Sequence, residues 1–550
     1  MYHYDDLDRD VVHNRVFQFK DQMTRFLNGE LSEEAFLPLR LQNGLYVQKH
    51  APMLRVAVPY GMLSSKQVRR LAGICHKYDR DYCHITTRQN VQFNWVEFKD
   101  VPEILADLAS VEMHAIQTSG NCIRNTTSDP IAGVAVDELI DPRPYCEIIR
   151  QWSSLHPEFA FLPRKFKIAV IGAEEDRASI RLHDIGIKAV RSAAGEYGFE
   201  IWGGGGLGRT PMLASLIREF LPQKYLLGYL KSILRVYNQY GRRDNKYKAR
   251  IKILVGALGT QEFSRQVEKE FERNCETDPQ LTEEEFKYAS SFFTAPSYQI
   301  LPERHEQAGP HPEAYQNWLD RNVKRHKVSG YRIVTLSLKH EGQAPGDITT
   351  EQLHHIADLA DRYSFGEVRT TQQQNIVLAD VQANDLYSLW LDSEAQGLVT
   401  PTVSTLADTV CCPGGDFCGL ANARSLPVNE AIQQRFSDLN KLYALGDLSL
   451  RISGCINACA HHHIANIGIL GIDKKGEEFY QITLGGKTGY ESAIGKVLGP
   501  SLPLDKVAPA VEKIIQLYVE QRSDETETFS STYERLGKAA FKEQVYATDY

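Results

Sequence analysis

Five of the chain's ten cysteines fall in two short windows, VCCPGGDFCG (410–419) and SGCINACAHHH (453–463). Pairing Cys412 with Cys418 and Cys455 with Cys459 gives C-x5-C, 36 intervening residues, then C-x3-C. Two clips of two thiolates can hold a metal centre. Zinc takes four cysteines tetrahedrally, but its clips favour two to four intervening residues, and a five-residue clip containing proline and glycine departs from that. A [4Fe–4S] cluster also takes four thiolates and tolerates varied spacing, because its ligands reach different irons. Gly414, Gly415, Gly419 and Gly454 allow the backbone to approach and aim N–H groups at sulfur. The adjacent Cys411 and Cys412 compete for one ligand position.

Positive charge is concentrated in PRKFK (163–167) and GRRDNKYKARIK (241–252). The ordinary reading of such runs is a solvated face. A small anion, however, needs a basic pocket, and Lys165 and Lys167, two apart on a strand-like segment, face the same side. The overall formal charge of −8 argues against wholesale nucleic-acid binding. MYHYDDLDRD at the start lacks the basic and apolar regions of a signal peptide. No apolar run approaches the ~18 residues that span a bilayer. A cytoplasmic location is expected, where clustered cysteines mean metal or catalysis more often than a disulfide.

These groups must be positioned by a chain of 550 residues, too long for one ordinary domain. An internal repeat organises it. Residues 67–93 (QVRRLAGICHKYDRDYCHITTRQNVQF) lie over 352–378 (QLHHIADLADRYSFGEVRTTQQQNIVL) without a gap at an offset of 285. A hydroxylic pair precedes each copy, Ser64-Ser65 or Thr349-Thr350, suited to capping a helix. Strand-like runs (53–61 and 331–338) come before, and a β-branched strand follows. The unit reads β-α-β. The expected fold is α/β with two pseudo-symmetric halves and a functional site between them.

Together the C-x5-C…C-x3-C arrangement, the duplicated half with TTRQN and the LPRKFK block resemble the assimilatory sulfite and nitrite reductases that carry siroheme and a [4Fe–4S] cluster, with bacterial sulfite reductase hemoprotein subunits nearest. The resemblance runs from Gly44 to about Gln516. It implies Cys412, Cys418, Cys455 and Cys459 as cluster ligands, with Cys459 bridging to the siroheme iron. It implies Arg55, Arg124, Lys165 and Lys167 around the substrate anion, and Thr86, Thr87, Arg88, Gln92, Gly204, Gly205 and Gly206 against siroheme. It implies reduction of sulfite to sulfide for cysteine synthesis, with nitrite reduction to ammonia as the alternative. An iron–sulfur carrier without siroheme is a more remote one. The electron donor would be external, a ferredoxin or an NADPH-dependent flavoprotein.

The implied organisation has a helical arm at 1–44 and a ferredoxin-like half-domain at 45–118. A siroheme- and substrate-binding domain at 119–274 and a linker at 275–328 follow. The second ferredoxin-like half-domain is 329–405, the cluster- and siroheme-binding domain 406–522, and a polar surface tail 523–550. Departures from the family pattern are His84, where some relatives carry a siroheme-contacting arginine, and Ser119, where some carry a cysteine able to link to a tyrosine matching Tyr46. GGGGLG (203–208) satisfies G-x-G-x-x-G, but no acidic residue stands about twenty positions on. His461, His462 and His463 are expected on a helix, in supporting or surface roles. Cys75, Cys83, Cys122, Cys146 and Cys275 are read as structural.

Overall fold

The computed structural model describes residues 3–278, 280–301 and 311–547. Four five-stranded sheets are formed, two small and two large. One small sheet contains Leu45–Val47, Pro52–Val56, Val91–Phe93 and Tyr82–Ile85; the other contains Val323–Arg325, Tyr331–Leu336, Ile376–Gln382 and Glu367–Thr370. Each is completed by a strand from the opposite half: Asp347–Thr349 pairs with Tyr82–Ile85, and Met62–Ser64 pairs with Glu367–Thr370. The 285-residue offset carries one donated strand onto the other, so the exchange is reciprocal.

Each donated strand runs into the capped helix that the hydroxylic pairs foretold. Ser64 caps Ser65–Tyr78 with Gln67 as its capping-box partner, and Thr349 caps Thr350–Tyr363 with Gln352. In both, the hydroxyl accepts a helical N–H and the glutamine reaches back to the cap N–H, satisfying two otherwise orphaned donors. The apolar faces of both helices and the two small sheets bury one shared core, from Leu54 and Leu71 to Val334 and Ile356.

The TTRQN and TTQQQN turns are also repeated in atomic detail. The hydroxyl of Thr86 accepts the N–H of Asn90 (3.1 Å), and that of Thr371 accepts the N–H of Asn375 (3.0 Å). This closure places Gln89 and Gln374 at φ +58° and +60°, a left-handed conformation that ordinary side chains rarely adopt. Both glutamines are held there by bonds across the pseudo-dyad: Gln89 Nε2 donates to Thr370 O and Gln374 Nε2 to Ile85 O, each at 3.1 Å.

The two large sheets share one topology. Thr127–Ser128, Ile168–Ile171 and Ile185–Arg191 run parallel, then Tyr197–Gly203 and Ser215–Pro222 return antiparallel. Val410–Cys411, Leu450–Ser453, Ile467–Lys474, Glu477–Leu484 and Lys496–Val497 repeat that pattern. The duplication therefore extends beyond the stretch where side-chain identity made it visible.

One expectation is corrected. The segment read as a surface tail folds as helix Phe529–Tyr546, kinked at Gly537 (φ +75°), with Phe529 and Phe541 buried in the third core. The linker, expected to hold some short helix, contains helix Glu313–Asn322, whose Trp318 is fully buried. Val323–Arg325, ahead of the second half-domain's expected start at 329, pairs with Tyr331–Leu336. Part of the linker stretch LPERHEQAGPHPE, residues 302–310, lies outside the described residues. No helix among the described residues is long and apolar enough to cross a membrane. Phe541→Ala should destabilise the protein by about 3–5 kcal/mol, as for other buried phenylalanines; a thermal melt unchanged from wild type would return residues 523–550 to the status of a tail.

Candidate active site

Strands Val410–Cys411 and Leu450–Ser453 lie side by side in parallel, so the loops leaving their C-terminal ends emerge together. Those loops carry the two cysteine clips. Gly454 N–H donates to Cys412 Sγ (3.2 Å), Leu420 N–H to Cys418 Sγ (3.4 Å) and Asn457 Nδ2 to Cys455 Sγ (3.4 Å). Burial, with Cys459 nearby, pushes Cys412 up to about 12 and Cys455 up to about 11, and raises Cys418. Cys459 is thus close enough to act on each of the other three. It is also exposed where Cys455 is buried, and its charge reaches Lys165.

Cys411 faces elsewhere. It sits where the first half has Ser128, and the repeat glutamines treat both alike: Gln89 Oε1 accepts Ser128 N–H (3.1 Å), and Gln374 Oε1 accepts Cys411 N–H (2.9 Å). Its side chain packs in the third core with Ile452. Cys411→Ala should retain iron and acid-labile sulfide, whereas Cys412→Ala should lose them; the opposite result would exchange their roles.

Opposite the clips lies a recess lined with cations. Arg55 on strand Pro52–Val56 pairs in register with Gln92, whose Oε1 accepts Arg55 Nε (2.9 Å) and Nη2 (2.6 Å). The carbonyl of Thr118 accepts Arg55 Nη1 (3.4 Å), Arg124 Nη1 (2.9 Å) and the Tyr46 hydroxyl (3.3 Å). Arg124 is further held by the carbonyl of Gly120. The loop at 118–120 therefore orients both guanidiniums.

Lys165 and Lys167 are half-buried. Burial, then Arg250 and Arg124, lowers Lys165 to about 8; burial and Lys165 itself push Lys167 well below the usual lysine range. Burial likewise lowers Arg88 to about 9. Burial would raise Tyr46, but Arg55, Arg124 and Lys165 bring it down to about 8. Desolvated cations that weaken one another in this way are set to receive an anion.

The TTRQN turn joins the two regions. Thr87 Oγ1 donates to the carbonyl of Cys459 (2.6 Å), tying the first half to the second clip. Arg88 donates to Thr127 Oγ1 (2.8 Å) and Asn125 O (2.6 Å). Thr86 Oγ1 already accepts two N–H groups within its own turn, so only its hydroxyl proton is left to offer. Gln92 orients Arg55.

Gly204, Gly205 and Gly206 lie in the connection between two antiparallel strands, Tyr197–Gly203 and Ser215–Pro222. No helix starts there, which removes the N-terminus a dinucleotide pyrophosphate needs. A Cβ at Gly205 would fall 2.4 Å from the carbonyls of Arg181 and His183, so glycine is required by close backbone approach. Lys252 Nζ donates to the carbonyls of Gly206 and Leu207, holding this loop against the recess.

The three histidines differ from expectation. His461 is left-handed (φ +59°) and only a 3-10 turn, His462–Ile464, follows; all three rings are buried. Burial, with Lys167 and Arg451 close by, keeps His461 neutral well below the usual imidazole range. The surface role is excluded, since the turn after Cys459 folds inward. Arg250 and Asp184, described below, carried no motif and were missed as individual residues; only the basic run around Arg250 signalled the region.

Residues 119–275 and 402–550 match the Nitrite and sulphite reductase 4Fe-4S domain, and residues 46–111 and 327–395 match the Nitrite/Sulfite reductase ferredoxin-like half domain. The chain belongs to the nitrite and sulphite reductase family. The interleaving of the two matches reproduces the two pseudo-symmetric halves. A "Sulfite reductase [ferredoxin] 1" of Mycolicibacterium paratuberculosis is 28% identical over 87% of this chain and 81% of its own length. A chloroplastic "Ferredoxin--nitrite reductase" of Arabidopsis thaliana is 28% identical over 92% of this chain and 83% of its own. Among solved structures, the NirA protein of Mycobacterium tuberculosis superposes with a TM-score of 0.77 at 26% identity, covering 93% of this chain and 92% of that one.

The nitrite and sulphite reductases use siroheme and a [4Fe–4S] cluster, and the residues here fit both. Zinc clips favour two to four intervening residues, and the five-residue Cys412–Cys418 clip departs from that. Four thiols carried by two neighbouring loops suit a cluster whose ligands reach different irons. A macrocycle rich in carboxylates suits the recess of Arg88, Arg124, Lys165, Lys167 and Arg250.

Proposed function

We propose that this reductase converts sulfite to sulfide, with Cys412, Cys418, Cys455 and Cys459 holding the cluster and with Arg55, Arg124, Lys165 and Lys167 holding the anion. The position of Cys459 carries this reading: one exposed thiol acts on the other three cysteines and on Lys165 at once. Siroheme coupled to the cluster would supply electrons to the bound anion one at a time. The protein's own part is binding and protonation. Arg55 and Arg124, fixed by the Thr118 carbonyl and Gln92, present guanidinium edges to the anion's oxygens. Each oxygen that leaves as water needs protons, and Lys165, whose ammonium releases its proton near pH 8, is suited to donate them and be recharged by solvent. Thr87, Arg88 and the glycine loop would border the macrocycle.

Nitrite reduction to ammonia is the second reading. It is favoured by the equal identity of the plant nitrite reductase, and the same cation set would serve it. The names of the relatives favour a ferredoxin as donor over an NADPH-dependent flavoprotein. Steady-state turnover with each anion, driven by an artificial one-electron donor and then by reduced ferredoxin, tests these points. A much higher kcat/KM for nitrite would overturn the sulfite assignment.

A further inference from the structure

Asp184 is fully buried, and three separate segments meet on it. Its carboxylate accepts Arg250 Nε (2.9 Å) and Nη2 (2.8 Å to each oxygen). It also accepts the backbone N–H of Lys167 (2.8 Å). Its carbonyl accepts the N–H of Gly204 (3.0 Å). The PRKFK segment, which leads into strand Ile168–Ile171, the glycine loop and the basic segment at 241–252 are thus fastened to one residue. Around Lys167 stand Lys165, Arg88 and Arg250, with the imidazoles of His183 and His461 and with Asp184 as a negative charge.

We propose that Asp184 is a positioning residue of the anion site: it neutralises Arg250 and fixes the main chain of Lys167, so that Lys165 and Lys167 present their ammonium groups to the anion. The inference rests on the assignment of those two lysines to the anion site. Arg250 is paired through two bonds to one oxygen and a third to the other, a geometry that holds a guanidinium in place. Unpaired, it would repel the neighbouring ammoniums in a desolvated space where like charges act strongly. Burial already drives Lys167 well below its ordinary range, and Asp184 opposes that drift.

Asp184→Asn keeps the size and an acceptor for the Lys167 N–H while removing the charge. The direct readout is the pH midpoint for acylation of the Lys167 amine, followed by peptide mass spectrometry on protein with and without siroheme. The midpoint is expected to fall by about one unit or more, the equivalent of a tenfold change in proton affinity. Siroheme content should be retained. Asp184→Glu should stay nearer to wild type, and Arg250→Met in the Asp184→Asn background should restore the midpoint. A folded Asp184→Asn protein with an unchanged midpoint overturns the proposal. If that variant does not fold, the double variant decides: a wild-type midpoint supports the proposal and a lowered one overturns it. Arg250→Met alone should raise the midpoint, and no change there also counts against it. Absence of turnover with sulfite and nitrite in wild type would refute the functional reading, while the lysine midpoints would still judge Asp184.

Discussion

Cys459→Ser is expected to abolish turnover and to lower iron and acid-labile sulfide well below the wild-type content, leaving a folded chain. Losing an outer partner of a metal site already reduces affinity or activity by about 10–100-fold, and the loss of a thiolate ligand should exceed that. The effect is large because this one side chain serves two sites. Cys412, Cys418 and Cys455 are held by donors within the clips, and their surroundings would survive the change. Cys459 meets the cation side through Lys165, as Cys418 does through Arg55, and its carbonyl also anchors Thr87. Serine keeps that carbonyl, so the fold and the TTRQN contact should persist. Full iron content with near-normal turnover would remove Cys459 from the centre and leave Cys455 without its clip partner. Cys411→Ala is the matched control.

Lys165→Ala should keep both cofactors and reduce kcat by about 10²–10³-fold, the range for removing one charge-stabilising donor or one positioned acid. Its pH dependence makes the test sharper. The cationic form is the one that binds the anion and donates a proton. Burial and neighbouring arginines lower its affinity for that proton to about 8, so wild-type kcat should fall as pH rises through about 8. Lys165→Arg, which stays charged, should move that limb to higher pH even where its geometry lowers the maximum. An alkaline limb unchanged in Lys165→Arg would assign it to another group, and an unchanged kcat in Lys165→Ala would remove Lys165 from the chemistry.

Much of this was legible because local physics wrote it into short stretches. The capping pairs at Ser64 and Thr349, the alternating apolar positions after them and the TTRQN-like turns each depend on residues within a few positions of one another, and each recurs at the same offset. The clips were legible for the same reason, since thiolates two to six residues apart on glycine-bearing loops serve few other purposes. The tail was misread because helix Phe529–Tyr546 is held by Phe529 and Phe541 meeting a core made elsewhere, which composition does not report. The histidine turn was misread because a left-handed residue at His461 redirects the chain inward.

By itself, then, the sequence determined the duplication, the identity of the two cysteine clips and the presence of concentrated positive charge, because those are patterns of neighbours. The spacing and the family pattern name Cys412 over Cys411, and the tertiary structure adds support by placing Cys411 where the pseudo-dyad has Ser128 and its thiol in the core. Only the tertiary structure brought the cations together, since Arg124, Lys165 and Arg250 come from distant segments and the two arginines lower Lys165 only where burial has stripped its water. Asp184 belongs to the same class: a single carboxylate has no signature until three segments close on it.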